Sequence, residues 1–493
     1  MTTLPPLSLA HPDLEKASQP QPTPATSHIV DEPTSPTSKH SKEIVSQVAS
    51  NCCPRQLAKV QRPIDRFTVL PNLQDPKSYS RLNKAGITFV VALASFAGPF
   101  ASNSLQPAFP QLRRAWSIPN TVVALTTTLF LCATGIAPLW WAFLSERYGR
   151  RPVYLSGFLL FTLASVLCAV STNVGFLLSF RFLQAAGASC AQSVGLGIIA
   201  DIYVPEERGR ATGWWYLGPI AGPLLSPLVS GALITWTSSW RSTMWFNTIF
   251  GGVLEMLIVL FLPETSNALK SRQAAALENP PQELTTKTKL TFLQAFKGLF
   301  QLFIVRPFRT VLYIRFLPVG LTMPPITQVL LECPILFRSL EIALAYIPPA
   351  FGYIIGSISG GYLSDYAYRR AKARDGDRFV PESRLVTAWC GVPFMPIGLL
   401  IFGWTLRTHQ NWPVPLAGSF IFGLGFMLGT GTIMTYFADV IPGQSASVVA
   451  CFNLLRNVAA ALSAALAAPA LNHIGQGWYF TIMSILVCLM SLN

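Results

Sequence analysis

Charged side chains inside long apolar runs are the residues of this chain most able to do chemistry. Arg181 lies in the apolar run 176–200, and Glu255 lies in the run 244–262. A charge within a membrane-spanning helix is costly, so it usually faces a protein-lined or wet interior. Arg181 could shift the proton affinity of a neighbouring acid or attract an anion, or it could reach the nearer membrane surface. Glu255 could carry a proton or lie paired within a helix contact.

Two charged connections repeat along the chain. LSERYGRR (Leu144–Arg151) follows one apolar run, and GYLSDYAYRR (Gly361–Arg370) echoes it after a later run, each with an acid followed by arginines. An acid near a helix end and adjacent arginines can form a charge network that breaks when two halves of a transporter move apart. The predicted conformational latch consists of Glu146, Arg147, Gly149, Arg150, Arg151 and Asp365. The alternative is that any cytoplasmic connection collects arginines.

The composition is that of a membrane protein. Of the 493 residues, 51% are hydrophobic and 12% are charged, whereas a soluble domain carries about 25% charged residues. Residues 1–84 are polar and rich in Pro, Ser and Thr, which predicts a disordered cytoplasmic tail. The net charge of +14 does not indicate nucleic-acid binding, because the basic residues lie mainly in this tail and in alternate connections between apolar runs.

Twelve apolar runs are each long enough to cross a bilayer, which takes about 20 residues. They are residues 85–106, 120–141, 152–171, 176–200, 212–236, 244–262, 310–334, 342–363, 385–405, 413–437, 446–470 and 476–493. This pattern predicts an all-α polytopic membrane protein whose twelve transmembrane helices form two six-helix bundles, residues 85–263 and 310–493. A polar central loop, residues 264–309, joins them. Positive connections stay in the cytoplasm, so we expect both termini there in a multi-pass plasma-membrane protein.

The first charged connection carries a motif by which the chain resembles the major facilitator superfamily and, within it, the fungal twelve-span drug:proton antiporters. The superfamily motif reads roughly G-x-L-x-D-R-x-G-R-R between spans two and three. This chain has AFLSERYGRR, in which Ala142 and Glu146 replace the Gly and Asp. ADVIPGQSASVVACFNLLRN (Ala438–Asn457) also resembles quinidine-resistance and organic-acid exporter relatives.

Two further motifs extend the resemblance. RFLQAAG (Arg181–Gly187) in span four matches a position that the resemblance associates with proton transfer and with shaping the cavity. GPIAGPLLSP (Gly218–Pro227) resembles the span-five antiporter signature G-x-x-x-G-P-x-x-G-G, except at Ser226–Pro227. The antiporter-like helix contact is predicted to involve Gly218, Gly222 and Pro223.

The resemblance implies a substrate site near the midplane between the halves. Candidate substrate-binding residues are Asn103, Gln106, Gln328 and Tyr436, and candidates for proton coupling or the cavity are Arg181, Gln184, Glu255 and Arg315. Arg315 could instead anchor the cytoplasmic end of span seven. Asp201 and Asp439, at helix ends, form either a local charge cluster or a gate.

These expectations describe a transporter and not an enzyme. The chain shows no metal-ligand spacing of its nine cysteines and no G-x-x-x-x-G-K-[ST] loop, so we expect no metal, no cofactor and an ion gradient as the energy source. We predict a monomeric, proton-coupled exporter of a drug, organic acid or secondary metabolite, with protons and the lipid bilayer as its other partners. The arginines favour anionic or neutral substrates. A proton-coupled uptake symporter and a non-transporting membrane sensor are the alternatives.

Overall fold

The computed structural model describes residues 68–70, 73, 75–266, 347–375, 381–408, 411, 413–440, 446–454, 456–457 and 474–491. All of them belong to one compact unit, Arg62–Asn493. Within these ranges the regular secondary structure is helical throughout. Most of the predicted tail, nearly all of the central loop and the whole seventh span, with Arg315 and Gln328, lie outside the described residues.

The helices of the first half follow the predicted order of spans one to six. They are α1 (Arg81–Asn103), α2 (Phe109–Trp116), α3 (Asn120–Tyr148), α4 (Arg150–Ala169), α5 (Val174–Ala188), α6 (Cys190–Ile202), α7 (Pro205–Thr237) and α8 (Arg241–Phe261). Six stretches here are long and apolar enough to cross a membrane, with α5 and α6 forming one of them. Ser80 begins α1 because its hydroxyl accepts a hydrogen bond from the amide of Asn83, a common N-terminal cap.

The helices of the second half are described less completely. They are α9 (Ile347–Asp375), α10 (Leu385–Gly391), α11 (Phe394–Arg407), α12 (Pro413–Val440), α13 (residues 446–454 and 456–457) and α14 (Gln476–Ser491). Two stretches in this half, Glu382–Arg407 and Pro413–Asp439, meet the length and hydropathy needed to cross a membrane. Eight such stretches are therefore present in the part of the chain that the structure describes, and α14 is a shorter apolar helix.

The helices turn apolar side chains outward, as lipid exposure requires. On α8, Ile249 and Met256 are exposed, whereas Leu254 and Ile258 are fully buried. The two halves meet where α7 packs against α9 and where Leu139 and Ala142 of α3 contact Ala446 and Ala450 of α13. These contacts between halves position the charged side chains considered next.

Candidate functional site

Buried ion pairs of the described residues gather at one end of the helices, which we call the charged end. It is formed where α3, α6 and α12 end, where α4, α7, α10 and α13 begin, and along the last turns of α9. Its principal charged residues are Glu146, Arg150, Asp201, Arg208, Asp365, Arg384 and Asp439. They form one network in each half and several links between the halves.

In the first half the network is built around Arg150, the first residue of α4. Its Nε lies 3.1 Å from Oδ2 of Asp201 at the end of α6, and its Nη1 donates to the hydroxyl of Ser145 at 2.8 Å. The backbone amide of Arg150 donates to Oε1 of Glu264 at 2.9 Å. Since helix N-termini carry unpaired amides and positive partial charge, Glu264 caps α4. Gly149, with φ 104°, forms the turn that joins α3 to α4.

The neighbouring arginines of this motif have different surroundings. Arg151 is 1% exposed, and its Nη2 donates to the carbonyl oxygen of Val259 at 2.8 Å, near the end of α8. Arg147 is exposed and lies against the ring of Tyr148. The predicted latch therefore contains two buried arginines that join helices and one arginine at the surface.

In the second half the corresponding arginine is Arg384, directly before α10. Its Nη1 lies 3.1 Å from Oδ1 of Asp365, and its Nε lies 2.6 Å from Oδ2 of Asp439 at the end of α12. Asp439 also pairs with Arg208 of α7, in the first half. Arg384 in turn donates to the carbonyl oxygen of Pro205, at the start of α7. One guanidinium thus joins two carboxylates of its own half to a helix of the other half.

The arginine that pairs with Asp365 lies outside the GYLSDYAYRR motif. Arg369 and Arg370, which follow Asp365 within the motif, are exposed. Arg384 is the arginine that pairs with it, and sequence reasoning missed it as a latch residue. The signal that could have found it is placement, because Arg384 stands directly before an apolar run just as the pair Arg150–Arg151 does.

Each half also supplies an acid to a helix of the other half. Oε1 of Glu146 accepts a hydrogen bond from the backbone amide of Ser447 at 3.1 Å, at the start of α13. Oδ1 and Oδ2 of Asp365 accept from the amides of Gly209 and Arg210, both at 2.8 Å, near the start of α7. Carboxylates are stabilised near helix N-termini by the helix dipole. These bonds exist only while the halves touch at the charged end.

Close helix packing accompanies these bonds between α7 and α9. The hydroxyl of Ser357 donates to the carbonyl oxygen of Gly213 at 2.9 Å. A Cβ atom added at Gly213 would lie 2.6 Å from the carbonyl oxygen of Ser357. Only a residue without a side chain fits this approach. The two halves are therefore in direct contact at the charged end in this structure.

Arg181 lies elsewhere, in α5, and is fully buried. Its Nη1 donates to the carbonyl oxygen of Ala101 and to Oε1 of Gln184, each at 2.9 Å, and its Nη2 donates to the carbonyl oxygen of Ser102 at 3.2 Å. Its guanidinium lies 4.6 Å from the ring centre of Phe130. The last carbonyls of a helix lack partners within the helix, so Arg181 caps the end of α1. It does not reach the membrane surface.

The surroundings of Arg181 contain no ion pair with any carboxylate among the described residues. Gln184 extends the cluster, because its Nε2 donates to the hydroxyl of Ser165 in α4 at 2.7 Å. The cluster thus joins α1, α4 and α5 through neutral partners. We expected that Arg181 could shift the proton affinity of a neighbouring acid, but no such acid pairs with it in the described part of the chain.

The remaining described candidates are spread over the molecule. Asn103 and Gln106 bond to each other at 3.0 Å, where α1 ends opposite the charged end. Tyr436 lies one turn before Asp439, near the end of α12, so it belongs to the charged end. The structure therefore does not bring Tyr436 together with Asn103 and Gln106, and their role in substrate binding stays a prediction.

Glu255 lies on α8 between its exposed and buried faces and is half-buried. Val253 and Met256 beside it are exposed, whereas Leu254 is buried. Glu255 has no ion pair with any residue that the structure describes. Glu255 is therefore a carboxyl group within a span that takes no part in the ion pairs of the charged end.

The glycine motif of α7 packs directly on α1. A Cβ atom at Gly218 would overlap the carbonyl oxygen of Ala92, and one at Gly222 would lie 2.7 Å from the Cβ atom of Pro99. Pro223 follows within α7 and is half-buried. Ser226, which departs from the family signature, donates to the carbonyl oxygen of Phe100 at 2.7 Å. The departure therefore replaces close glycine packing by a hydrogen bond between the same two helices.

Comparison with known proteins decides what this helical assembly is. The model of the Major Facilitator Superfamily matches residues 91–464. The chain belongs to the major facilitator superfamily. It is therefore a multi-pass, all-helical membrane protein of a transporter family, and it acts on a small-molecule substrate.

Individual relatives agree with this assignment. The MFS antiporter QDR3 of Candida albicans is 28% identical over 87% of this chain and 79% of its own length. Citrate exporter 1 of Aspergillus niger is 29% identical over 82% of this chain and 84% of its own length. The solved structure of the proton:xylose symporter XylE superposes with a TM-score of 0.62, at 16% identity, over 84% of this chain and 95% of that one. This last likeness concerns the fold alone.

Proposed function

We propose that this chain exports a small organic molecule from the cytoplasm in exchange for protons, by alternating access. The observation that supports this most is the pair of acids that cross between halves. Glu146 and Asp365 each bond to the start of a helix in the opposite half. Such bonds hold the charged end closed and must break when the halves rock. Relatives named as an antiporter and as an exporter favour export over uptake.

The proposal includes an architecture and an orientation. Twelve spans form two six-helix bundles, residues 85–263 and 310–493, joined by the loop 264–309 and preceded by the tail 1–84. The charged end faces the cytoplasm because its connections hold most of the arginines outside the tail and central loop. Both termini are then cytoplasmic, and the protein works as a monomer in the plasma membrane.

The charged end serves in this proposal as a latch whose bonds are individually weak. An acid at a helix N-terminus contributes about 0.3–1 kcal/mol when exposed and up to about 2 kcal/mol when partly buried. Two such contacts stabilise the closed state enough to bias it while leaving it able to open. Arg181 and Gln184 act differently, since they tie the end of α1 to α5 and α4 and so make these helices move together.

Glu255 is the group that we propose carries the proton. It lies within a span, is half-buried and has no ion pair among the described residues, so its charge is not neutralised by a neighbouring cation. A carboxyl group in this setting exchanges protons without first breaking a salt bridge. Glu382, exposed at the charged end, offers a matched acid that takes no part in this step.

The test uses inside-out vesicles from a yeast strain that lacks its own efflux pumps, with labelled citrate and labelled quinidine as probes. An acid interior should drive accumulation of at least one probe, and a protonophore should abolish it. Glu255→Gln should remove the dependence on the proton gradient, whereas Glu382→Gln should keep it. Accumulation that is unchanged by the protonophore contradicts proton coupling. Accumulation only in right-side-out vesicles shows uptake and contradicts export.

A further inference from the structure

We infer that Arg456, on α13, binds the anionic group of the transported substrate midway across the membrane, so that the substrate is an organic anion. This inference rests on the proposed transport function and adds a site and a substrate class to it. Arg456 lies ten residues after Ala446, at the charged end of α13. At about 1.5 Å per residue this is about 15 Å, half of a hydrocarbon core about 30 Å thick.

Residues of the first half lie at the same depth. Tyr216 is eleven residues after Pro205, where α7 begins, which is about 16 Å along the helix. Arg456 lies within electrostatic range of Tyr216, which belongs to the other half. Asn457 packs against α3, because a Cβ atom at Gly135 would lie 3.1 Å from its own Cβ atom. Arg456 and Asn457 therefore face the first half at the level where a substrate must cross.

Nε of Arg456 and Nδ2 of Asn457 are buried and have no hydrogen-bond partner among the described residues. These two donors belong to consecutive residues of α13 that face the first half. An unpaired buried donor is unfavourable.

Other buried arginines have the partners that Arg456 lacks among the described residues. Arg150, Arg208 and Arg384 each pair with a carboxylate, and Arg181 is held by carbonyl oxygens. Arg456 has neither kind of partner in the described part of the chain, yet its side chain is partly exposed within the assembly. A carboxylate would satisfy it in a bidentate manner. The group that completes this site is therefore an anion supplied by the substrate.

The test measures binding and flux separately. Purified protein is titrated with citrate, benzoate and quinidine, and thermal stabilisation is recorded; the same probes are then followed in the inside-out vesicles. We expect a carboxylate to bind and to accumulate, Arg456→Gln to weaken both at least tenfold, and Arg456→Lys to retain part of them. Arg407→Gln removes the same charge from an exposed arginine and should behave as the unmodified chain. Tyr216→Phe should weaken carboxylate binding by a smaller factor.

Each other result decides the inference. Carboxylate transport that is unchanged in Arg456→Gln overturns it and leaves the proposed function intact. If quinidine is bound and exported and neither carboxylate binds, the inference is likewise overturned and the proposed function stands. Carboxylate binding that depends on Arg456 but produces no flux supports the inference and contradicts the proposed function. If Arg456→Gln fails to fold, the comparison of Arg456→Lys with Arg407→Gln replaces it, and equal carboxylate affinity in those two overturns the inference.

Discussion

The two charged networks occupy corresponding places in the two halves but differ in how tightly they are held. In the first, Arg150 pairs with one carboxylate, and Asp201 is 14% exposed in its side chain. In the second, Arg384 pairs with two carboxylates, and the side chains of Arg384 and Asp439 are fully buried. The second network also reaches Arg208 of the first half. The ion pair of Arg150 therefore joins helices within the first half, whereas the ion pairs of Asp439 join the two halves.

The largest effect that we expect from this difference comes from Arg384→Ala. It leaves the buried carboxylates of Asp365 and Asp439 without their shared partner, and breaking a buried pair in this way costs about 3–5 kcal/mol. The thermal midpoint of the purified protein should fall clearly. Arg150→Ala is the matched variant and should lower the midpoint less, since Asp201 has some access to solvent. Equal losses in the two variants would show that the networks are equivalent.

The next effect concerns the close packing of α7 on α9. Gly213→Val places atoms against the carbonyl oxygen of Ser357, so the charged end should open more often. The reporter is Thr212→Cys in a background free of native cysteines, because Thr212 is fully buried in the closed state. We expect its alkylation by a polar reagent to rise about tenfold, which corresponds to about 1.4 kcal/mol.

Gly231→Val provides the control for this packing experiment. Gly231 lies on the same helix, and a Cβ atom there would meet nothing within 4 Å. The alkylation rate of Thr212→Cys should stay unchanged in that variant. A similar rise in both variants would mean that the substitution acts through the helix itself and not through the contact between halves.

A smaller and asymmetric effect is expected from the acids that cross between halves. Asp365 accepts from two backbone amides and from Arg384, whereas Glu146 accepts from the amide of Ser447. Asp365→Asn should therefore raise alkylation of the Thr212→Cys reporter more than Glu146→Gln does. Each loss lies within the range of about 0.3–2 kcal/mol for an acid at a helix N-terminus. A larger effect of Glu146→Gln would reverse the order of the two networks.

The sequence predicts the helical framework well where apolar runs are long. The six runs of the first half become helices because each can satisfy its backbone internally across a bilayer. The acids of the two connections are likewise recognisable, since each follows a Leu-Ser pair after an apolar run. These features depend on local pattern alone, which a single sequence contains.

What the sequence did not predict depends on pairing across space. Arg369 and Arg370 are nearer to Asp365 in sequence than Arg384 is, yet Arg384 is the one buried against it. Arg181 is satisfied by carbonyl oxygens, which every residue has and no pattern marks. Tyr436 was predicted to line the substrate site from the family resemblance alone, whereas in the structure it lies one turn before Asp439, near the end of α12.

The smallest effect tests whether an ion pair between α7 and α9 must be buried to stabilise the closed state. Lys372 and Glu206 also join α9 to α7, at 2.9 Å, but their side chains are 43% and 29% exposed. An exposed ion pair contributes about 0.2–1 kcal/mol and is screened by salt. Lys372→Ala should leave the thermal midpoint and the Thr212→Cys alkylation rate close to those of the unmodified chain. If it matched Asp365→Asn instead, any charge pair between α7 and α9 would serve as the latch, and the buried position of Asp365 would not matter.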